Sequence, residues 1–160
     1  MSTRQPAPSL DEQRIPVRAK LAAAWTSFMF LYAYVDILNF FTPGVVEDVL
    51  DGRVFEFDLS QTFSTTALTL VAVPILMVVL STTLPAGANR ITNLVVASIY
   101  VPVTAFNLVG ESWVYFYGLG IALELALLVA IVRYAWTWPR TAPATTTATT
   151  TGGTFARSAS

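Results

Sequence analysis

The chain has 160 residues and a formal net charge of −1, and 54% of its residues are hydrophobic while only 12% are charged. Soluble domains carry about 25% charged residues, so this composition indicates that lipid surrounds most of the chain. The sequence contains neither cysteine nor histidine. This excludes disulfides, thiolate metal sites and histidine-ligated zinc or haem, and we expect no metal and no cofactor. The small net charge and the lack of a basic run argue against a nucleic-acid partner.

Four apolar stretches have the length of about 20 residues that a helix needs to cross the bilayer. These predicted spans cover residues 21–41, 62–84, 91–110 and 113–136. The connections at 85–90 and 111–112 are short enough to make neighbouring spans antiparallel, and Asn89 and Ser112 are predicted to cap the third and fourth helices. The sequence therefore predicts an all-α fold, an up-down-up-down transmembrane four-helix bundle embedded in the lipid bilayer.

Both ends of the chain differ from the apolar centre in composition. Residues 1–17 are polar and proline-rich, and residues 140–160 form a threonine-rich, low-complexity tail. Such segments bury too little apolar surface to offset the entropy lost on ordering, so both are predicted to be disordered. This leaves residues 18–139 as the transmembrane domain.

Basic residues are concentrated at one end of the predicted bundle. Lysine and arginine near the ends of spans are retained on the cytoplasmic side of a membrane, and only Arg53 falls on the opposite side. The eight residues at the basic end are Arg4, Arg14, Arg18, Lys20, Arg90, Arg133, Arg140 and Arg157. Both termini are therefore predicted to be cytoplasmic, and the connection 42–61 is predicted to lie outside.

This outer connection, residues 42–61, is predicted to be partly folded on the membrane surface. Apolar residues between Val45 and Leu50 have helical spacing, and aromatic and acidic residues alternate between Phe55 and Asp58 as in a short strand. Its five acidic residues lack the ligand spacing of a calcium loop. We therefore expect a solvated acidic loop rather than a metal site.

Two acidic residues fall within predicted spans, where a charged side chain costs about 2.5–3.5 kcal/mol to insert. Asp36 lies about one turn below the outer end of the first span, and Glu124 lies near the middle of the fourth. Helical spacing places further polar side chains on the same faces or at the same end. The predicted outward-opening polar pocket comprises Tyr32, Asp36, Asn39, Asn107, Glu111, Tyr117 and Glu124. The alternative is that these groups only hydrogen-bond one another and fix helix packing.

Small residues recur every four positions on the face of the fourth span opposite Glu124. They are Ala122, Ala126 and Ala130. Such a ridge permits close approach of another helix, which predicts a homodimer through this span. The alternative is packing within one chain.

Prolines fall inside the second and third spans, at Pro74 and Pro102. Each removes a backbone hydrogen bond and bends its helix. A pair of kinks can form a hinge or a cavity, or can simply shape the bundle.

Three segments resemble an uncharacterised bacterial family of small four-span membrane proteins, known only as a domain of unknown function. They are LAAAWTSFMFLYAYVDILNFFTPG (21–44), NRITN (89–93) and the run from the W-x-Y-F-Y motif (113–117) to VRYAWTWP (132–139). The resemblance covers roughly residues 18–139 and implies the fold and a bacterial cytoplasmic membrane location. It implies no activity, cofactor or catalytic residue.

No catalytic motif is present, so we expect a protein that is not an enzyme. The leading hypothesis is a structural or interaction role in the membrane. The alternative is a small transporter, or a ligand-binding or proton-coupled permeation protein, that uses Asp36 and Glu124. An enzyme acting on lipid or quinone ranks third, because two carboxylates without a nucleophile or metal-ligand set make a weak catalytic case.

Overall fold

The computed structural model describes residues 14–54, 57–107 and 113–139. These residues form α1 (Val17–Asn39), α2 (Val45–Leu50), β1 (Arg53–Val54), β2 (Phe57–Asp58), α3 (Gln61–Thr83), α4 (Ala86–Phe106) and α5 (Val114–Trp136). Helix dominates the described chain, which confirms the predicted all-α class. The predicted disordered ends lie outside the described residues except for residues 14–17, where α1 already begins at Val17 behind Pro16. Proline fits there because N–H groups at the start of a helix have no acceptor within the helix, so the missing N–H of proline costs no helical hydrogen bond.

The four long helices pack side by side. Helix α1 packs against α3 and α5, α5 also packs against α4, and the contact between α3 and α4 is smaller than these three. Buried apolar side chains concentrate in one half of the bundle, which holds the start of α1 and the end of α5. They include Leu21, Trp25, Phe28, Met77, Ala97, Leu128 and Ile131. We call this the closed half, and the half nearest α2 and the hairpin the open half.

Each long helix carries large apolar side chains on its outer surface. Phe30, Leu68, Ile91 and Leu119 are each at least 63% exposed. Apolar exposure on this scale fits a lipid environment rather than water. Among the described helices, three are long and apolar enough to cross a membrane: Val17–Asn39, Gln61–Thr83 and Val114–Trp136.

Helix α4 begins earlier than the predicted span. It starts at Ala86 directly after Pro85, five residues before Ile91, and the predicted cap Asn89 is instead fully buried inside the helix. The cap prediction for Asn89 was therefore wrong, because Pro85 sets the helix start and the Asn89 amide bonds to α3. Helix α5 begins after Trp113, and the predicted cap Ser112 lies outside the described residues.

The outer connection folds into a helix and a hairpin. Gly44 (φ 91°) precedes α2 and Gly52 (φ 80°) follows it, both in the left-handed region that glycine tolerates best. Strands β1 and β2 pair antiparallel, with Val54 opposite Phe57. Arg53 binds Asp48 at 3.2 Å, which ties the hairpin to α2. The predicted short helix is present, and Phe55 lies outside the described residues.

Helices α1 and α5 approach closely at Gly120. A Cβ atom added there would lie 2.9 Å from Val35 Cγ2, whereas a Cβ added at Gly118 would meet no atom within 4 Å. We expect Gly120→Ala to lower the free energy of unfolding by about 1–3 kcal/mol through overpacking. Gly118→Ala is the matched control and should be neutral or slightly stabilising.

The measurement is unfolding by SDS titration of the purified protein in mild detergent, followed by far-ultraviolet circular dichroism. Adding Val35→Ala to Gly120→Ala should restore most of the lost stability, since it removes the methyl group that clashes. Equal stability of the Gly118→Ala and Gly120→Ala proteins would contradict a close approach at this point.

Candidate ligand-binding cavity

The open half of the bundle encloses a cavity of about 290 Å³ between α1, α4 and α5, with Phe63 of α3 and the hairpin at its edge. Its polar lining comes from three helices. These groups are Tyr32, Asp36 and Asn39 on α1, Asn107 at the end of α4, and Tyr117 and Glu124 on α5. Six of the seven residues predicted to form a polar pocket thus surround one space, and the seventh, Glu111, lies outside the described residues.

The two carboxyl groups sit at different depths. Glu124 lies ten positions after Val114, which places it about 15 Å along α5 from its start. Its side chain is only 3% exposed. Asp36 lies one turn from the end of α1 and is exposed. The cavity therefore has one acid near its mouth and another at its buried end.

Hydrogen bonds between helices hold the walls of the cavity. The Tyr117 hydroxyl on α5 donates to Asn39 Oδ1 on α1 at 2.5 Å. The Asn107 amide at the end of α4 lies 3.5 Å from the Tyr32 hydroxyl on α1. These four side chains fix helix packing, as the alternative hypothesis for the polar residues expected.

Glu124 differs from those four groups. Thr104 of α4, itself fully buried, interacts with the Glu124 carboxyl. Within the described part of the chain, however, Glu124 Oε2 and Thr104 Oγ1 have no hydrogen-bond partner of normal geometry. A buried polar atom without a partner costs about 1–3 kcal/mol. The buried end of the cavity is thus formed by a carboxyl group that lies beside the Thr104 hydroxyl.

No basic side chain is among the described residues that line the cavity. Arg53 is the one described cation at this end of the bundle, and it faces Asp48 at 3.2 Å and Asp51 at 4.0 Å. The cavity is therefore acidic, because neither Asp36 nor Glu124 has a basic side chain beside it in the described part of the chain.

Aromatic side chains supply half of the remaining described lining, and aliphatic side chains supply the other half. Phe57 of the hairpin stacks on Phe63 of α3 with ring centroids 6.0 Å apart, and both line the cavity together with Val54 and Phe106. Among the described residues, no group of three or more carboxylates could hold a metal ion. The cavity is thus an acidic space with aromatic walls.

A second polar cluster, in the closed half, was missed by the sequence interpretation. Trp25 Nε1 donates to Asn93 Oδ1 at 2.7 Å, and Ser81 Oγ donates to the same oxygen at 3.3 Å. Asn93 Nδ2 donates to Asn89 Oδ1 at 2.6 Å, and Asn89 Nδ2 donates to the Ser81 carbonyl at 2.6 Å. All four side chains are fully buried. The available signal was the pair of asparagines four residues apart on α4, which spacing places on one face.

Basic side chains surround that closed end. Arg18 donates to the Thr82 carbonyl at 2.9 Å, and Arg90 donates to the Ala135 carbonyl at 3.2 Å. Lys20 and Arg90 also lie over the rings of Tyr134 and Trp136, respectively. These contacts satisfy carbonyl groups near the ends of α3 and α5.

The predicted dimer ridge lies on the outer surface of α5. Ala122 and Ala126 are exposed and Ala130 is half-buried. The homodimer stays a prediction, since only one chain is described.

Comparison with known proteins identifies a family and no function. A family of unknown function, DUF6326, matches residues 11–145. This range extends beyond residues 18–139, where the sequence resemblance was seen. No curated protein and no solved structure matches the chain.

Proposed function

The chain belongs to DUF6326, a family of unknown function, and we propose that it is a bacterial cytoplasmic membrane protein whose cavity binds a small organic cation. In this proposal the protein is not an enzyme, and it crosses the membrane four times. The observation that carries the binding function is the cavity that Asp36 and Glu124 line together with no basic side chain among its described residues.

The four-span arrangement is supported by the faces of α4. Its polar residues Asn89, Asn93 and Thr104 are buried against the other helices, while Ile91 and Ile99 are exposed. These polar residues lower the mean hydropathy of α4, although they face the other helices and would not contact lipid. With 21 residues, α4 is about 32 Å long, which is sufficient for the hydrocarbon thickness.

The proposed orientation has the cavity facing outward. Arg18, Lys20, Arg90 and Arg133 lie toward the closed half, near helix ends, and this basic end would remain in the cytoplasm. Both termini are then cytoplasmic. The cavity mouth, α2 and the hairpin would face the outside of the cell.

The ligand class follows from charge and lining. Two carboxyl groups without a described basic neighbour attract a cation, and aromatic faces such as those of Tyr32, Phe63 and Tyr117 attract an organic cation particularly well. A small metal ion is a poorer fit, because it needs several oxygens at short distance. The volume of about 290 Å³ suits a compact ligand.

The proposal is a binding site rather than an open pore. Trp25, Phe28, Leu128 and Ile131 are fully buried in the closed half, and the asparagine cluster there is satisfied internally. Movement of the ligand across the membrane would require these contacts to separate. Binding from the outer side requires no such change.

We expect Glu124→Gln to weaken binding of tetramethylammonium at least tenfold, which is about 1.4 kcal/mol. The reason is that a unit charge about 5 Å from the cation contributes about 3 kcal/mol at an effective dielectric constant of about 20. The measurement is equilibrium dialysis of labelled tetramethylammonium against the full chain in nanodiscs, with empty nanodiscs as the blank. Glu47→Gln is the matched control, because it removes the same charge from an exposed position on α2. Equal binding by wild type and Glu124→Gln, or no binding by wild type, would refute the proposal.

A further inference from the structure

We propose that the ligand is an amphiphilic monocation, whose charged head occupies the acidic cavity and whose alkyl tail lies in an adjacent groove between α3 and α4. This inference rests on the proposed function and names its ligand class. The observation behind it is a second cavity in the open half, which lies beside the acidic cavity.

The groove is larger than the acidic cavity, with a volume of about 560 Å³. It lies between α3 and the end of α4, two helices with little mutual contact. Phe63, Ala67 and Leu70 of α3 form one wall, and Phe106 of α4 forms the other. Asp58 of the hairpin is the one charged residue among the described lining. An apolar groove of this kind gains free energy by covering its surface with an alkyl chain.

The groove and the acidic cavity adjoin each other. Phe57, Phe63 and Phe106 line both spaces. A single molecule can therefore place a charged group beside Asp36 and Glu124 and extend an apolar chain past these three rings. These shared rings, together with the sign of the charge in the cavity, favour the tail of the bound cation as the occupant of the groove.

The charge of the lining also discriminates between amphiphiles. Neither space has a basic side chain among its described residues. The phosphate of a zwitterionic lipid would find no cationic partner there and would be repelled by Asp36 and Glu124. A simple alkylammonium ion carries no such group. The lining therefore favours a monocation over a phospholipid.

The test compares three probes on the full chain in nanodiscs by equilibrium dialysis, with empty nanodiscs subtracted. Tetramethylammonium supplies the head alone, hexyltrimethylammonium adds a tail, and hexylphosphocholine adds a phosphate to the same head and tail. Each buried methylene improves affinity about fourfold. We therefore expect hexyltrimethylammonium to bind at least tenfold more tightly than tetramethylammonium, and hexylphosphocholine to bind at least tenfold more weakly than hexyltrimethylammonium.

The groove itself is tested with Ala67→Phe, because Ala67 lines the groove and is not among the described residues that line the acidic cavity. This variant should bind tetramethylammonium as wild type does but lose the advantage of the hexyl tail. Ala33→Phe adds the same ring to an exposed position on α1 and should change neither affinity.

The outcomes separate the two proposals. Equal affinity of wild type for tetramethylammonium and hexyltrimethylammonium would overturn the groove inference and leave the cation site standing. Retention of the tail advantage in Ala67→Phe would also overturn it, as would tight binding of hexylphosphocholine. Absence of binding for both cations would overturn the proposed function as well.

Discussion

Replacing Asn93 with leucine is expected to lower the free energy of unfolding by about 3 kcal/mol. The side chains are similar in size, so the change removes hydrogen bonds without opening a large cavity. In the native protein the Asn93 side chain accepts from Trp25 and Ser81 and donates to the carbonyl and side-chain oxygens of Asn89. All of these side chains are fully buried.

The size of the effect comes from the groups that lose their partner. After Asn93→Leu, the Trp25 N–H and Asn89 Oδ1 remain buried, and each unpaired group costs about 1–3 kcal/mol. When helices separate within a membrane, their polar side chains still find some other hydrogen-bond partners. This reduces the free energy that each hydrogen bond contributes to stability. The expected total therefore lies below the sum of the individual costs.

The measurement is SDS titration of the purified protein in mild detergent, followed by far-ultraviolet circular dichroism. Ser98→Ala, at an exposed position of the same helix, is the control and should change stability by less than about 0.5 kcal/mol. Trp25→Phe should cost less in the Asn93→Leu protein than in wild type, because its donor has already lost its acceptor. Strictly additive costs would contradict the network.

Helical spacing was sufficient to indicate which side chains share a face of one helix. Residues four apart lie on one face, so Asp36 was grouped with Tyr32 on α1 without knowledge of the neighbouring helices. The apolar length of the segments likewise predicted the long helices. These features depend only on local geometry, which one sequence contains in full.

Contacts between helices could not be predicted in this way. Trp25 and Asn93 are 68 positions apart, and their pairing depends on how α1 and α4 are rotated in the bundle. The start of α4 was also mispredicted, since the preference of Asn89 for a cap position is weaker than its buried contacts with Ser81 and Asn93. The acidic residues drew attention to the cavity, whereas the apolar groove beside it has no distinctive sequence signal.

Replacing Tyr100 with phenylalanine is expected to destabilise the protein by about 2 kcal/mol, through a backbone group rather than a side chain. Pro74 lacks an N–H and leaves the carbonyl of Leu70 without its usual helical partner. The Tyr100 hydroxyl of α4 donates a hydrogen bond to this carbonyl. An unpaired carbonyl in a hydrocarbon environment is costly, so this contact offsets the effect of the proline kink in α3.

A double-mutant cycle with Pro74→Ala tests this explanation, because alanine at position 74 supplies the missing N–H. Tyr100→Phe should then cost less than about 0.5 kcal/mol in the Pro74→Ala protein, compared with about 2 kcal/mol in wild type. Stability is again measured by SDS titration. Phenylalanine keeps the ring that packs against Trp25 and Phe28, whose ring centroids lie 6.3 and 6.0 Å from that of Tyr100. An equal cost in both backgrounds would therefore show that the Tyr100 hydroxyl stabilises the protein independently of Pro74. The kink in α3 would then be tolerated without a partner from α4.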